Sequence, residues 1–481
     1  MATTPRRKCT TASSSRTRGN AGSESPKRDI YTAAMRKDFG CRSRLKADGK
    51  NLELYHPAGE PFPTKATYFY HVRVKFDPLS IKLSKHGRNK TRSNWQATRG
   101  SFSEHCWNLM QRVESDAYRV RRLPKGYIEG SDLKPLVVIT KRDSASGRIT
   151  GIGFSVGAET ATGYRMATFC EAVGLPKFAS FFGITLRDPV GRSCGIAASE
   201  IRDRGPGSTP QGMPRDAELV PVGRELTPAR AGQSKGIVET SNPKAAKDDD
   251  GPSFIRSNLT VAELAKEELF AVATYNEATN VASRIDPAIA DLVATPSPNG
   301  VWDALERLGR NDSVQVGFDE AVRAFLEVVP ATLKRNGVEM AGRNYYAKTP
   351  EFEAALQSVA ASGGLPVKVY VLTSCIRHIW FEWRDRLIEL MVRYPVPVAT
   401  EVKYMSLDEA VEYAEYAKRR DHEFRGHANA AILSHDEDYH QQTGLQPSRG
   451  QRVAGRPRRG SVVAKQEAAE AARGAAGKKA A

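Results

Sequence analysis

Glu200-Ile-Arg-Asp-Arg-Gly-Pro206 and, further along, Ala231-Gly-Gln-Ser-Lys-Gly-Ile-Val-Glu-Thr-Ser-Asn-Pro-Lys244 decide how this chain is read. The first piece is a β-like step that ends in Asp203 and breaks at Gly205-Pro206. The second is a glycine-containing turn that starts a helix and sets Glu239 in its first turns. Between Asp203 and Glu239 lie 35 residues. A strand-end Asp followed at this distance by a helical Glu is the second half of a three-carboxylate metal site. The first carboxylate must then lie upstream.

Upstream the pattern is β. Arg112-Val-Glu-Ser-Asp-Ala-Tyr-Arg-Val120 alternates, with Asp116 at its centre. Leu136-Val-Val-Ile-Thr140 has the composition of a buried strand. Asp143-Ser-Ala-Ser-Gly147 reads as a hairpin turn, and Arg148 to Val156 as the returning strand. Thr160 or Thr162 opens an amphipathic helix closed by Gly174. A fourth strand carries Asp203, residues 218–227 make a fifth, and the helix with Glu239 follows. Three antiparallel strands, a helix, two further strands and a helix is the order of a ribonuclease-H-like domain. There the first and fourth strands are neighbours, which would set Asp116 beside Asp203.

Crowded carboxylates repel and raise one another's pKa, and oxygen-seeking divalent cations relieve that repulsion. Two such ions support in-line phosphoryl displacement without a covalent nucleophile from the protein. No Ser-His-Asp or Cys-His arrangement competes with this reading. Each carboxylate also has an ordinary reading. Asp203 could be a turn Asp between arginines, Glu239 a solvated helical Glu, and Asp116 an exposed strand residue. Asp132, Asp143 and Asp188 are competitors, and the glycine-containing turn already explains Asp143.

Composition sets the class. A chain of 481 residues exceeds one hydrophobic core, so several domains are expected. Its formal charge of +17 points to a polyanionic partner, with nucleic acid foremost. No apolar run approaches the ~18 residues of a spanning helix, and no apolar segment follows the basic N-terminus, so a cytoplasmic protein is expected. Six dispersed cysteines without a CxxC pair argue against a disulfide framework or a zinc site.

The flanks read as follows. Residues 1–28 hold seven Lys/Arg and one Glu with almost no apolar side chains, the composition of a disordered basic tail. Residues 29–108 read as a small DNA-binding unit. A helix starts at Asp29, a turn-rich stretch follows, and a basic aromatic helix, Lys65 to Lys75, carries Lys65 and Arg73 in helix-turn-helix outline. A packed helix pair fits the same residues. A basic linker closes the unit, with Lys82, Lys85, Arg88, Lys90, Arg92 and Arg99 able to lie along phosphates.

Gln233-x-x-Gly236-x-Val238-Glu239-x-x-Asn242 resembles the Q-x-x-G-x-V-E-x-x-N signature of integrases, and Arg202-Asp203-Arg204-Gly205 resembles the DRG of bacterial transposases. The chain is thereby similar to the DDE transposases of the retroviral integrase superfamily, and most similar within it to TnsB-like and TniA-like relatives of the Mu transposase. The run around Asp116, the hairpin Asp143 to Gly151 and the 86 residues between Asp116 and Asp203 match that group's pattern. The segments ending in Tyr275-Asn276 and running from Thr295-Pro296 to Trp302 do as well. Residues 333–395 resemble the Mu-type C-terminal barrel, although Val371-Leu-Thr-Ser-Cys375 stands where Tyr-Asp-Pro is usual.

The resemblance implies a multidomain α/β plus β protein. Its parts are the tail 1–28, the N-terminal unit 29–108, a ribonuclease-H-like catalytic domain 109–285 with a five-stranded mixed sheet, a helical linker 286–332, a β-barrel 333–400, a helical segment 401–440 and a disordered basic tail 441–481. It implies a DNA transposase in the bacterial nucleoid that frees a 3′-hydroxyl at element ends and joins it to target DNA. Asp116, Asp203 and Glu239 would hold two Mg²⁺ or Mn²⁺ ions. Lys65, Arg73, Arg204, Gln233, Lys235, Asn242, Lys244, Arg335 and Arg343 would contact DNA. Implied partners are transposon-end and target DNA, further copies of the chain assembled on DNA, and an AAA+ ATPase regulator of the TnsC kind reached through the C-terminal tail. A catalytically silent DNA-binding relative and a solitary ribonuclease-H-like nuclease are the alternatives.

Overall fold

The computed structural model describes residues 27–95, 105–128, 131, 134–188, 191–203, 205–215, 223–226, 254–359, 363–394, 398, 401–447 and 465–470. Contacts divide the chain into two units, 1–414 and 415–481. The tail 1–26, Arg204, the Asp248-Asp-Asp250 run and the whole stretch around Glu239, with Gln233, Lys235, Asn242 and Lys244, lie outside the described residues.

The first unit is organised on a five-stranded mixed sheet and also holds two short strands, β4 (Arg122–Leu123) and β9 (Ile255–Arg256), that pair in parallel. The strands of the sheet are β3 (Val113–Arg119), β5 (Leu136–Asp143), β6 (Ile149–Val156), β7 (Ser199–Arg202) and β8 (Gly223–Leu226), in the order β6-β5-β3-β7-β8. The first three are antiparallel neighbours, while β7 runs parallel to β3 and β8 parallel to β7. All eight residues of β5 are buried, the mark of a central strand covered on both faces. Helix α4 (Ala161–Val173) lies on one face, started by Thr160, whose hydroxyl accepts from Gly163 N. It approaches so closely that a Cβ on Gly153 would sit 2.1 Å from Gly163 O, so β6 needs glycine there.

The opposite face packs on α5 (Leu175–Phe181) and α6 (Val261–Ala278). Helix α6 begins with a capping box between Thr260 and Glu263. Near its end Asn276 is buried, accepting from Ile149 N at 2.8 Å and donating to Ile149 O at 2.9 Å. Arg142 stacks over Tyr275, and Arg148 over Trp302 of α7 (Pro298–Arg307). The Tyr-Asn and Thr-Pro…Trp segments are therefore docking points for the β5–β6 hairpin.

The expected linker 286–332 is corrected. Trp302 and Leu305 of α7, and Ala321, Val322 and Phe325 of α8 (Phe318–Phe325), are core residues. A linker carries no such apolar stripe, because it has nothing to bury it against. Its last residues also open the barrel. The barrel closes in the order β10-β11-β12-β15-β14-β13, from β10 (Glu327–Lys334), β11 (Gly337–Met340), β12 (Arg343–Tyr346), β13 (Leu365–Val371), β14 (His378–Trp383) and β15 (Arg386–Arg393). The first strand thus begins six residues before the expected barrel boundary at 333, and Pro330 lies inside it. The β14–β15 turn holds Arg384 and Asp385 at φ 50° and 64°, the backbone of a tight right-twisted hairpin. Helix α9 (Pro350–Val359) supplies Phe352 and Ala355 to the barrel core. On its outside Trp380 meets Phe181 edge-on at 5.1 Å and Phe318 at 6.1 Å, fixing barrel to sheet.

The N-terminal part differs from a helix-turn-helix. Helices α1 (Lys27–Lys37) and α2 (Lys65–Lys75) are separated by a hairpin of β1 (Arg42–Leu45) and β2 (Leu52–Tyr55). Its turn is closed by Asp48, which accepts from Lys50 N and Asn51 N, before Gly49 at φ 65°. Tyr31, Met35, Phe39 and Tyr68 form a small core. Part of the expected basic linker is helix α3 (Pro78–Asn94), opened by Asp77 as cap and Pro78 in the first turn, and interrupted at Gly87. The expected helical segment 401–440 is largely α10 (Leu407–Thr443), capped by Ser406. Residues 465–470 of the expected C-terminal tail are helical. Among the described residues no helix is long and apolar enough to cross a membrane.

Candidate active site

The parallel pairing of β3 with β7 matches Val113 with Glu200 and Glu114 with Ile201. Continued by two residues, this register would set Ser115 against Arg202 and Asp116 against Asp203, which follows the end of β7 at Arg202. Asp203 is exposed and Asp116 half-buried, so both reach solvent.

The next residues back point the other way, into a buried ionic network beneath α4. Lys141 and Arg202, with Glu171 and Glu200, are each under about a tenth exposed. Lys141 pairs with Glu171 and lies 3.4 Å from Glu200. Arg202 reaches Glu200 at 2.5 Å, and Ser115 donates to the same carboxylate. Two cations and two anions balance, which is what burial of charge requires. Burial alone would raise the Glu200 carboxyl, but Arg202 and Lys141 outweigh it and bring it to about 2. Burial pushes Glu171 upward against the pull of Lys141.

A β-bulge completes the network. Lys141 pairs with Gly151 but Arg142 with Ile149, which leaves Thr150 as the extra residue. The bulge turns Thr150 toward α4, where its hydroxyl donates to Glu171 at 2.7 Å.

The same arginine shapes the loop after Asp203. Arg202 donates to Gly207 O at 2.6 Å and Gly212 O at 3.1 Å, tying down the 3-10 turns Pro206–Ser208 and Pro210–Gly212. Arg165 of α4 donates to Gln211 O and to Glu327. Gly207 lies against the Tyr164 ring, where a Cβ would come within 2.7 Å. The backbone that carries Asp203 is thus held from below by two buried arginines and a tyrosine.

Of the competitors, Asp132 lies outside the described residues, and the other two have their own partners. Asp143 is buried and accepts from Met110 N, Ser146 N and Ser146 Oγ, closing its turn. Asp188 bonds Arg192, which also grips Asp303. Of the expected DNA contacts, Lys65, Arg73 and Arg335 are exposed. Arg343 is half-buried, stacks over Tyr394, bonds its hydroxyl and reaches Met405 Sδ, which joins β12 to the segment after the barrel.

Sequence reading missed Lys141, Glu171 and Glu200. The available signals were Lys141 and Arg142 continuing an otherwise apolar strand, and Glu171 between Cys170 and Ala172 on the helix's inner face. Among the described residues no three His, Cys, Asp or Glu side chains are gathered as a metal site. Asp116 and Asp203 are two oxygen donors with no thiol or imidazole between them, a set that suits a hard cation once a third carboxylate joins.

No family model matches the chain. No curated protein matches it. Among solved structures, a chain of the cryo-EM structure of the simian T-cell lymphotropic virus intasome in complex with PP2A regulatory subunit B56 gamma is similar over 69% of this chain and 95% of that chain, at 10% identity and a TM-score of 0.23.

Proposed function

We propose that the chain is a DDE-type DNA transposase, which frees a 3′-hydroxyl at element ends and joins it to target DNA at one carboxylate site. The observation that carries this reading is the parallel pairing of β3 with β7, whose register, continued, would bring Asp116 and Asp203 side by side. The strand order β6-β5-β3-β7-β8 supports a ribonuclease-H-like core, where neighbouring first and fourth strands carry the first two carboxylates. The +17 charge supports a nucleic-acid substrate.

Asp116, Asp203 and Glu239 would hold two Mg²⁺ or Mn²⁺ ions, which when bound would activate a water or 3′-hydroxyl and stabilise the departing oxygen. The chain's own task is to hold like charges together before substrate arrives. Arg202 does so for Asp203 through the clamped loop. Ser115, bonded to Glu200, does so for Asp116. Arg204, Gln233, Lys235, Asn242 and Lys244 would flank the carboxylates and meet the phosphate backbone. Lys65, Arg73 and Arg335 would add contacts along the duplex. Assembly of several copies on DNA and docking of an AAA+ regulator by the C-terminal tail complete the proposal.

The test is strand transfer of a pre-cut duplex oligonucleotide with a free 3′-hydroxyl, in Mg²⁺ or Mn²⁺. Product is expected from the wild-type chain and none from Glu239→Gln. Equal joining by the two would overturn the assignment of Glu239. DNA binding without joining by any form would favour a silent architectural relative.

A further inference from the structure

The second unit exposes a self-complementary helix face. From Glu415 to Thr443, helix α10 keeps Phe424, Ile432 and Tyr439 exposed, at 62%, 49% and 44%. At 100° per residue, Ala417, Phe424, Ala428, Ile432 and Tyr439 fall in one strip about 80° wide, with Asp421 and His435 between them. A helix of this length draws most of its stability from covering such a strip.

Charge along the helix is polarised. Residues 418–425 hold four basic and two acidic side chains, whereas 436–438 is Asp-Glu-Asp. A parallel pair of copies would bring each block against itself. An antiparallel pair brings basic against acidic.

We infer that this face binds a second copy of the chain, antiparallel, with the two-fold axis passing at Ala428. That axis matches each residue with the one equally far beyond Ala428. Phe424 meets the partner's Ile432, Ala417 meets the partner's Tyr439, and Asp421 meets the partner's His435. Each bulky side chain of the outer layer faces a small one, and each acid in the strip faces an imidazole. At the axis Ala428 meets itself, which allows close approach. The flanks agree independently. Lys418 and Asp436 lie on one side of the strip, and Arg420 and Asp438 on the other. In an antiparallel pair like flanks meet, so Lys418 comes beside the partner's Asp436 and Arg420 beside the partner's Asp438, each offset by two residues or about 3 Å. In the single chain Asp421 bonds Arg425 at 2.7 Å on an exposed surface, an interaction weak enough to be exchanged.

The pairing does not depend on the DNA reading and is tested without DNA. Full-length chains carrying Phe424→Cys and Ile432→Cys are mixed and oxidised, with the wild-type chain as control for its native cysteines. Expected are a mixed cross-link, little cross-link from either variant alone, and a self-cross-link from Ala428→Cys. Self-cross-linking of Phe424→Cys equal to the mixture would overturn the antiparallel orientation. Absence of any cross-link beyond wild type would overturn the contact. Lys418→Glu is expected to weaken association about tenfold by sedimentation, and Lys418→Glu with Asp436→Lys to restore it. Failure of the second change to restore it would remove the charge pairing from the inference.

Discussion

The two faces of the β3–β7 pair handle charge in opposite ways. One face buries Lys141, Glu171, Glu200 and Arg202 in a balanced set with Ser115 and Thr150. The other turns Asp116 and Asp203, of like charge, toward water. Ser115 and Asp116 are consecutive in β3, so strand alternation assigns them to different faces, and Asp203 follows Arg202 just past the end of β7. The difference teaches how like charges are kept close. The backbone that carries Asp203 is fixed from the buried face through Arg202, Gly207 and Gly212.

Removing a charge from each face should separate activity from stability. Asp203→Asn should lower strand transfer roughly a thousandfold, the scale of losing one preorganised electrostatic group. Its thermal midpoint should change little, because Asp203 is exposed and lies past the end of β7. A fall of several degrees with little loss of transfer would reverse the roles of the two faces. Arg202→Met should do the opposite in stability. It leaves Glu200 short of its main partner and two carbonyls without their donor, a loss of about 3–5 kcal/mol read as the urea midpoint. Transfer should fall as well, and Arg202→Lys should recover part of the stability but not the two-carbonyl clamp.

Glu200 sharpens the comparison through pH. Its folded carboxyl sits near 2, below the unfolded value of about 4.3, so its ionised form stabilises the fold. That contribution is present above the unfolded pKa and is lost as pH falls from about 4 toward 2. Glu200→Gln should therefore cost up to about 3 kcal/mol at pH 7, and its gap to wild type should close at lower pH. A gap independent of pH between 7 and 3 would mean that packing, not charge, is what Glu200 supplies.

How much of this was legible in sequence follows from what each feature depends on. The strand order was readable because Leu136 to Ile139 and Ile149 to Val156 carry their apolar pattern locally. Thr160, Gly174 and Thr260 mark helix ends through their own side chains or lack of one. The buried network was not readable, because Lys141 and Glu171 are 30 residues apart and only the bulge at Thr150 and the close glycine packing of α4 bring them together. The N-terminal hairpin was hidden by strands of four residues with one mostly polar face. Arg343 was given a DNA contact by the resemblance, and only the fold shows it stacked on Tyr394.

Asn276 is the smallest of the tests and isolates what positions the hairpin. It occupies both backbone groups of Ile149, the residue at which β6 departs from regular pairing. Buried in α6, it belongs to neither charged face. Asn276→Ala would leave an amide and a carbonyl unsatisfied at the bulge, at a cost of about 2 kcal/mol. If the bulge matters only for stability, the urea midpoint falls and strand transfer at a permissive temperature stays within about twofold of wild type. If Thr150 needs the bulge to reach Glu171, the loss propagates into the buried network. Asn276→Ala combined with Thr150→Val then costs less than the sum of the single changes, and a strictly additive double-mutant cycle would disconnect the bulge from the network.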